Sequence, residues 1–146
     1  MVKQAIEHLK PVLHKSAATQ SRAGMTLSID NSVIDRFGKL LRCTWSWLSG
    51  RHHDIVRGQD LLGIILTINH IALPLHLLFF SKQGRYNTNK ADLFIFMLSH
   101  LKTAFALEGV DITKIPLTMD SWFVSQPLRQ RLHRLGFTKI IRVVPQ

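Results

Sequence analysis

Cysteine is almost absent: Cys43 stands alone in 146 residues. One thiol excludes an intrachain disulfide and any zinc site built on cysteine pairs. It suits a reducing compartment, so the cytoplasm is the expected location. Acidic residues are also scarce. Nine Asp and Glu stand against nineteen Lys and Arg, for a formal charge of +10. The last acid is Asp120, and residues 121–146 carry Arg129, Arg131, Arg134, Lys139 and Arg142 without a compensating carboxylate. Such a surface attracts polyanions, nucleic acid first and an anionic membrane second. No uninterrupted apolar leader opens the chain, because Lys3, Glu7, Lys10 and Lys15 break it, so no signal peptide is expected. Internal repeats and low-complexity tracts are lacking too. What remains is 46% hydrophobic, which excludes a disordered chain, and the length suits one domain with a real core.

Two stretches share one build. In Met25 to Ser32, Leu27 and Ile29 fall on one face of a strand, and Thr26, Ser28 and Asp30 on the other. In Lys114 to Phe123, Ile115, Leu117 and Met119 alternate with Thr118 and Asp120. Both read as strands, over 25–33 and 114–120, that finish on a carboxylate. Laid side by side in parallel, their backbones stand about 4.8 Å apart, and the two carboxylates become the start of a divalent-metal site. Either Asp alone is equally a turn or cap residue at a strand end.

Around this pair the remaining pattern is read as follows. Residues 2–13 form a short helix kinked at Pro11, and 14–24 a polar linker. Residues 34–60 are an irregular, partly extended excursion, with a strand over 39–48 through Trp45 and Trp47. Residues 61–80 are the most apolar part of the chain and long enough for a transmembrane helix. Asn69, His70, Pro74 and His76 interrupt that run, so a hairpin of strands 61–68 and 71–80 is expected instead, with the Pro74 strand at a sheet edge. Asn89 caps a helix over 89–108, with Asp92 at its third position and Gly109 at its end. Ser125 caps a second helix that Gly136 closes, and 139–144 form a last strand. A right-handed crossover through the 89–108 helix brings the two Asp strands together in parallel. The expected class is α/β, a ribonuclease H-like mixed sheet flanked by helices and incomplete at the C-terminus, preceded by the short helix and linker of residues 1–24.

Over about residues 25–146 the chain resembles the DDE transposases of bacterial insertion sequences. The resemblance is carried by Leu27-Ser28-Ile29-Asp30-Asn31-Ser32 with Asp35-Arg36-Phe37-Gly38-Lys39, by Val56-Arg57-Gly58-Gln59-Asp60-Leu61-Leu62, and by Leu117-Thr118-Met119-Asp120-Ser121-Trp122-Phe123 with Leu128 to Gly136. It implies two Asp and one Glu holding two Mg²⁺ ions, or Mn²⁺, that activate a nucleophile and stabilise the leaving oxygen of a DNA phosphodiester. Asp30 and Asp120 are then the catalytic and metal-binding pair. The third acid is missing, so the chain looks truncated and the family's strand cleavage and transfer are not expected of it. Lys39, Arg51, Arg57, Arg129, Arg131 and Arg134 are the candidate DNA contacts. DNA is the expected partner; no membrane is expected, and self-association is. A non-catalytic basic DNA-binding protein and a small membrane-associated protein are the alternatives.

Other polar residues receive plainer readings. Asp54 and Asp60 read as solvated loop acids, and His52-His53 as an exposed loop pair. His70, His76 and His100 read as packed rings with a satisfied nitrogen, because no acidic or Cys partner has ligand spacing. Trp45 and Trp47 read as sheet packing before base stacking.

Overall fold

The structure is a computed structural model, and it describes residues 3–4, 6–7, 10–11, 24–35, 44–49, 53–81, 89–121 and 124–144. The elements are β1 (Met25–Asp35), β2 (Trp45–Ser49), β3 (Asp54–Ile68), β4 (Ile71–Phe80), α1 (Lys90–Leu107), β5 (Leu117–Asp120), α2 (Gln126–Leu135) and β6 (Ile140–Val143). The class is mixed α/β. Among the described residues six strands form one sheet in the order β2-β3-β1-β5-β6, and β4 pairs β3. β1 is antiparallel to β3 and parallel to β5, and β6 is parallel to β5.

The β3–β4 hairpin turns on Asn69 and His70, with φ of 47° and 72°. Two positive φ values in a two-residue loop make the turn whose twist matches antiparallel strands. His70 is therefore an exposed turn residue and not the packed ring expected. Among the described residues β4 pairs with β3 alone, which leaves it at an edge, as the missing N–H of Pro74 requires. The register slips at Pro74: Ile65 pairs with Pro74 but Ile64 with His76, so Leu75 is an extra, bulged residue. Residues 61–80 are thus two strands, and no helix among the described residues is long and apolar enough to cross a membrane.

Three spans differ from the sequence reading. β3 starts at Asp54 rather than 61, because β1 is long enough to pair with it down to Gly58 and β2 continues the pairing over 54–58. Asp60 lies inside this strand and is fully buried, so it is not a loop acid. The strand expected over 39–48 is seen as 45–49, and 39–43 lie outside the described residues. Only Leu117–Asp120 of the 114–120 stretch are strand; Asp111 accepts from the Thr113 N–H at 3.0 Å and caps a 3-10 turn over Ile112–Lys114.

Both helices follow their end signals. The Asn89 side chain accepts from the Asp92 N–H at 2.8 Å, and Ser125 accepts from Leu128 at 3.4 Å. Each helix ends in a doubled backbone bond past its last turn: Val110 and Gly109 donate to Phe105 and Ala106, Phe137 and Gly136 to Leu132 and His133. Gly109 and Gly136 supply the left-handed residue this closure needs. Leu93, Phe94, Met97, Leu98, Leu101 and Phe105 of α1 and Leu128 and Leu132 of α2 share one core with Leu27, Ile29, Leu62, Ile64, Leu66, Leu117 and Met119. Ile6, in the N-terminal helical residues, joins that core, and Lys10 pairs with Glu108 at 2.9 Å. Period two then sends Ser28, Asp30, Thr118 and Asp120 to the opposite face of the sheet, away from α1.

Candidate functional site

The parallel β1–β5 pairing runs Leu27 with Leu117, Ser28 with Thr118 and Ile29 with Met119. Asp30 and Asp120 are the next positions of that ladder and project from the same face. They open onto a cavity of about 260 Å³ lined also by Ser28, Ile29, Thr118, Met119 and Val143 of β6. The expected convergence of Asp30 and Asp120 is present.

The floor of the cavity is a hydroxyl pair. Ser28 Oγ and Thr118 Oγ1 are 2.8 Å apart, and Thr118 Oγ1 donates to the Leu27 carbonyl at 3.2 Å. A hydroxyl has one proton. Thr118 commits its proton to Leu27, so Ser28 donates to Thr118, and the Ser28 lone pairs remain available. The Asp30 Oδ1 accepts from the Asn31 N–H at 2.8 Å, and the Asp120 Oδ1 accepts from Ser121 Oγ at 3.1 Å. Gly63 pairs with Asp30 across the β1–β3 ladder. A Cβ there would stand 3.2 Å from the Leu77 side chain, so the glycine lets Leu77 close over the strand beside the carboxylate.

Desolvation at this wall lifts the Asp30 carboxyl above the ordinary carboxylate range; the Asn31 N–H draws it back, and the Asp120 charge adds a further push upward. A raised native pKa means that the unfolded chain gives up this proton more readily. The stability that this group contributes is then fully present below the ordinary carboxylate range and is lost as pH rises through the native value. Asp30→Asn keeps an oxygen for Asn31 and removes the charge. It is expected to raise the thermal midpoint at pH 7, with the gain fading toward pH ~3, below the usual Asp value. Thermal unfolding across that range checks this; an Asn variant less stable than wild type at pH 7 would contradict it.

All donors here are oxygen, the set that hard cations such as Mg²⁺ and Mn²⁺ take. Among the described residues no group of three or more His, Cys, Asp or Glu side chains converges anywhere.

The candidate DNA contacts are dispersed. Arg129 and Arg134 are exposed on α2. Arg131 lies on the same helix but turns to Asp92 of α1 and forms an ion pair, so its first role is to hold the two helices together. Lys102 adds to that junction by donating to the Leu135 carbonyl at 2.6 Å. Arg57 is exposed on β3 opposite Ser46 of β2, with β1 between its strand and β5. Lys39 and Arg51 lie outside the described residues. Sequence reasoning assigned no role to Ser28, Thr118 or Val143; the shared parity of the two hydroxyls with the carboxylates was the available signal. No known family model matches this chain, and neither does any curated protein or solved structure.

Proposed function

We propose that the chain is a ribonuclease H-like domain of the DDE transposase kind, which engages DNA and binds Mg²⁺ or Mn²⁺ between Asp30 and Asp120. One observation carries the reading: the two carboxylates occupy adjacent ladder positions of parallel strands and share a cavity floored by hydroxyls. The strand order supports it. β1, β3 and β4, each antiparallel to its neighbour, then β5 and β6 returned in parallel through α1 and α2, follow the ribonuclease H-like arrangement. So does the raised Asp30 carboxyl, since a bound cation relieves both its desolvation and the Asp120 charge.

Two carboxylates hold one ion weakly, with water in the open positions, and they do not complete a two-metal clamp. Strand cleavage and joining are therefore not expected of these 146 residues. Mn²⁺ binds more tightly than Mg²⁺, because it adapts to irregular oxygen sites. The test is paramagnetic broadening by Mn²⁺. Signals of Ser28 to Asn31 and Thr118 to Ser121 should broaden first in wild type and survive in Asp30→Asn and Asp120→Asn. Broadening centred elsewhere, or unchanged by both substitutions, rejects the site. A second reading, a non-catalytic DNA-binding protein, is favoured by the exposed Arg129 and Arg134 on an acid-free helix, and it predicts DNA binding that both Asn variants leave intact without any Mn²⁺ site.

A further inference from the structure

The bulge at Leu75 sets the facing of His76. His76 pairs with Ile64, a core residue, and so looks toward α1 on the sheet face opposite the Asp30–Asp120 cavity. There it meets His100 of α1. The ring centroids are 5.4 Å apart and the planes cross at 71°. His76 is half-buried and His100 exposed, which places the pair at the solvent rim of the β4–α1 junction.

We propose that His76 and His100 form a two-imidazole site for a borderline divalent transition metal, Zn²⁺ being the type case, that clips α1 onto the edge strand β4. Two imidazoles on a tetrahedral zinc, with Zn–N of about 2.0–2.1 Å, hold their ring centroids roughly 5.3 Å apart, close to the spacing observed. The ligating form of histidine is neutral. Burial and the adjacent His100 hold His76 below the usual imidazole range, against the Leu77 backbone, which accepts from the ring and pulls it upward. One ligand sits on a strand and the other on a helix, so neither needs a mobile loop to be placed. Water fills the remaining positions. Hard oxygen-seeking Mg²⁺ does not compete for two nitrogens, which makes this site independent of the carboxylate pair.

The experiment is a Zn²⁺ titration of the full chain, followed by calorimetry and by the ring nitrogen signals of its eight histidines. One equivalent should bind saturably, shift His76 and His100 ahead of the other six, and raise the thermal midpoint. His100 is exposed, so His100→Ala is expected to fold, and its affinity should fall at least ~10-fold, the scale on which even outer-shell partners of a ligand matter. His76→Gln should do the same, while Asp30→Asn and excess Mg²⁺ should leave binding unchanged. Shifts spread over all the histidines, or wild-type affinity in His100→Ala, would overturn the proposal.

Discussion

Lys90→Met is expected to cost about 3–5 kcal/mol of stability, toward the lower end because the lysine is partly exposed. Asp60 has no exposed side-chain surface, whereas the Lys90 side chain is 28% exposed. One Asp60 oxygen accepts from the Asn31 side-chain amide at 2.9 Å; the other is met by the Lys90 ammonium as an ion pair without hydrogen-bond alignment. The same ammonium lies 5.5 Å from the Trp47 ring centroid and 5.8 Å from that of Phe80, within the range of a cation–π contact. Methionine fills the space of the lysine stem but leaves a buried carboxylate with a single donor. Uncompensated buried charge is the expensive outcome. Removing both partners, as in Asp60→Leu with Lys90→Met, should recover most of the loss, because an ion pair replaced whole by apolar groups is often neutral. Urea unfolding of the two variants checks this. A single variant as stable as wild type would mean that the pair contributes little.

The largest effect expected in solution is the response of DNA binding to salt. With a formal charge of +10 and exposed arginines at 57, 129 and 134, duplex binding should be largely electrostatic and tolerant of sequence. If ~6 phosphates or more are neutralised, affinity falls by about 10³-fold between 50 and 200 mM salt. Arg129→Ala with Arg134→Ala should flatten the dependence of log affinity on log salt by nearly two counterions, whereas Arg131→Ala, whose guanidinium is engaged by Asp92, should change the slope less and stability more. Fluorescence anisotropy with a labelled duplex over a salt series measures both. Affinity indifferent to salt would remove nucleic acid from the reading.

Parts of the architecture were open to reading because local signals agreed with the tertiary solution. Leu27, Ile29, Leu117 and Met119 alternate cleanly with Ser28, Asp30, Thr118 and Asp120, and parity alone put the carboxylates on one face. Asn89, Ser125 and the two closing glycines marked the helices for the same reason: caps depend on neighbours in sequence. Asp60 misled because Arg57-Gly58-Gln59-Asp60 has loop composition. Long-range pairing with β1 and β2 overrides that propensity, and the partner that makes burial tolerable, Lys90, lies on a different element. Ile115 misled in the opposite direction: it continues a period of two, but the Asp111 cap bends the chain into a turn first. Arg131 looks like its neighbours Arg129 and Arg134 until α1 is packed against α2.

The bulge in β4 has a consequence for how this strand tolerates changes in length. Its flanks are out of phase by one residue: Leu73 above it and His76, Leu78 and Phe80 below it all face α1, and Leu77 and Phe79 face outward, 40% and 45% exposed. Removing Leu75 would leave every other pair in place and turn the irregular ladder into a regular one, at the expense of a buried side chain. Removing Leu78 or Phe79 would instead exchange inside for outside from that point toward the bulge, burying Leu77 and expelling His76. Reading frame within the strand, more than the chemistry of any single side chain in it, decides which surface the edge of this sheet presents.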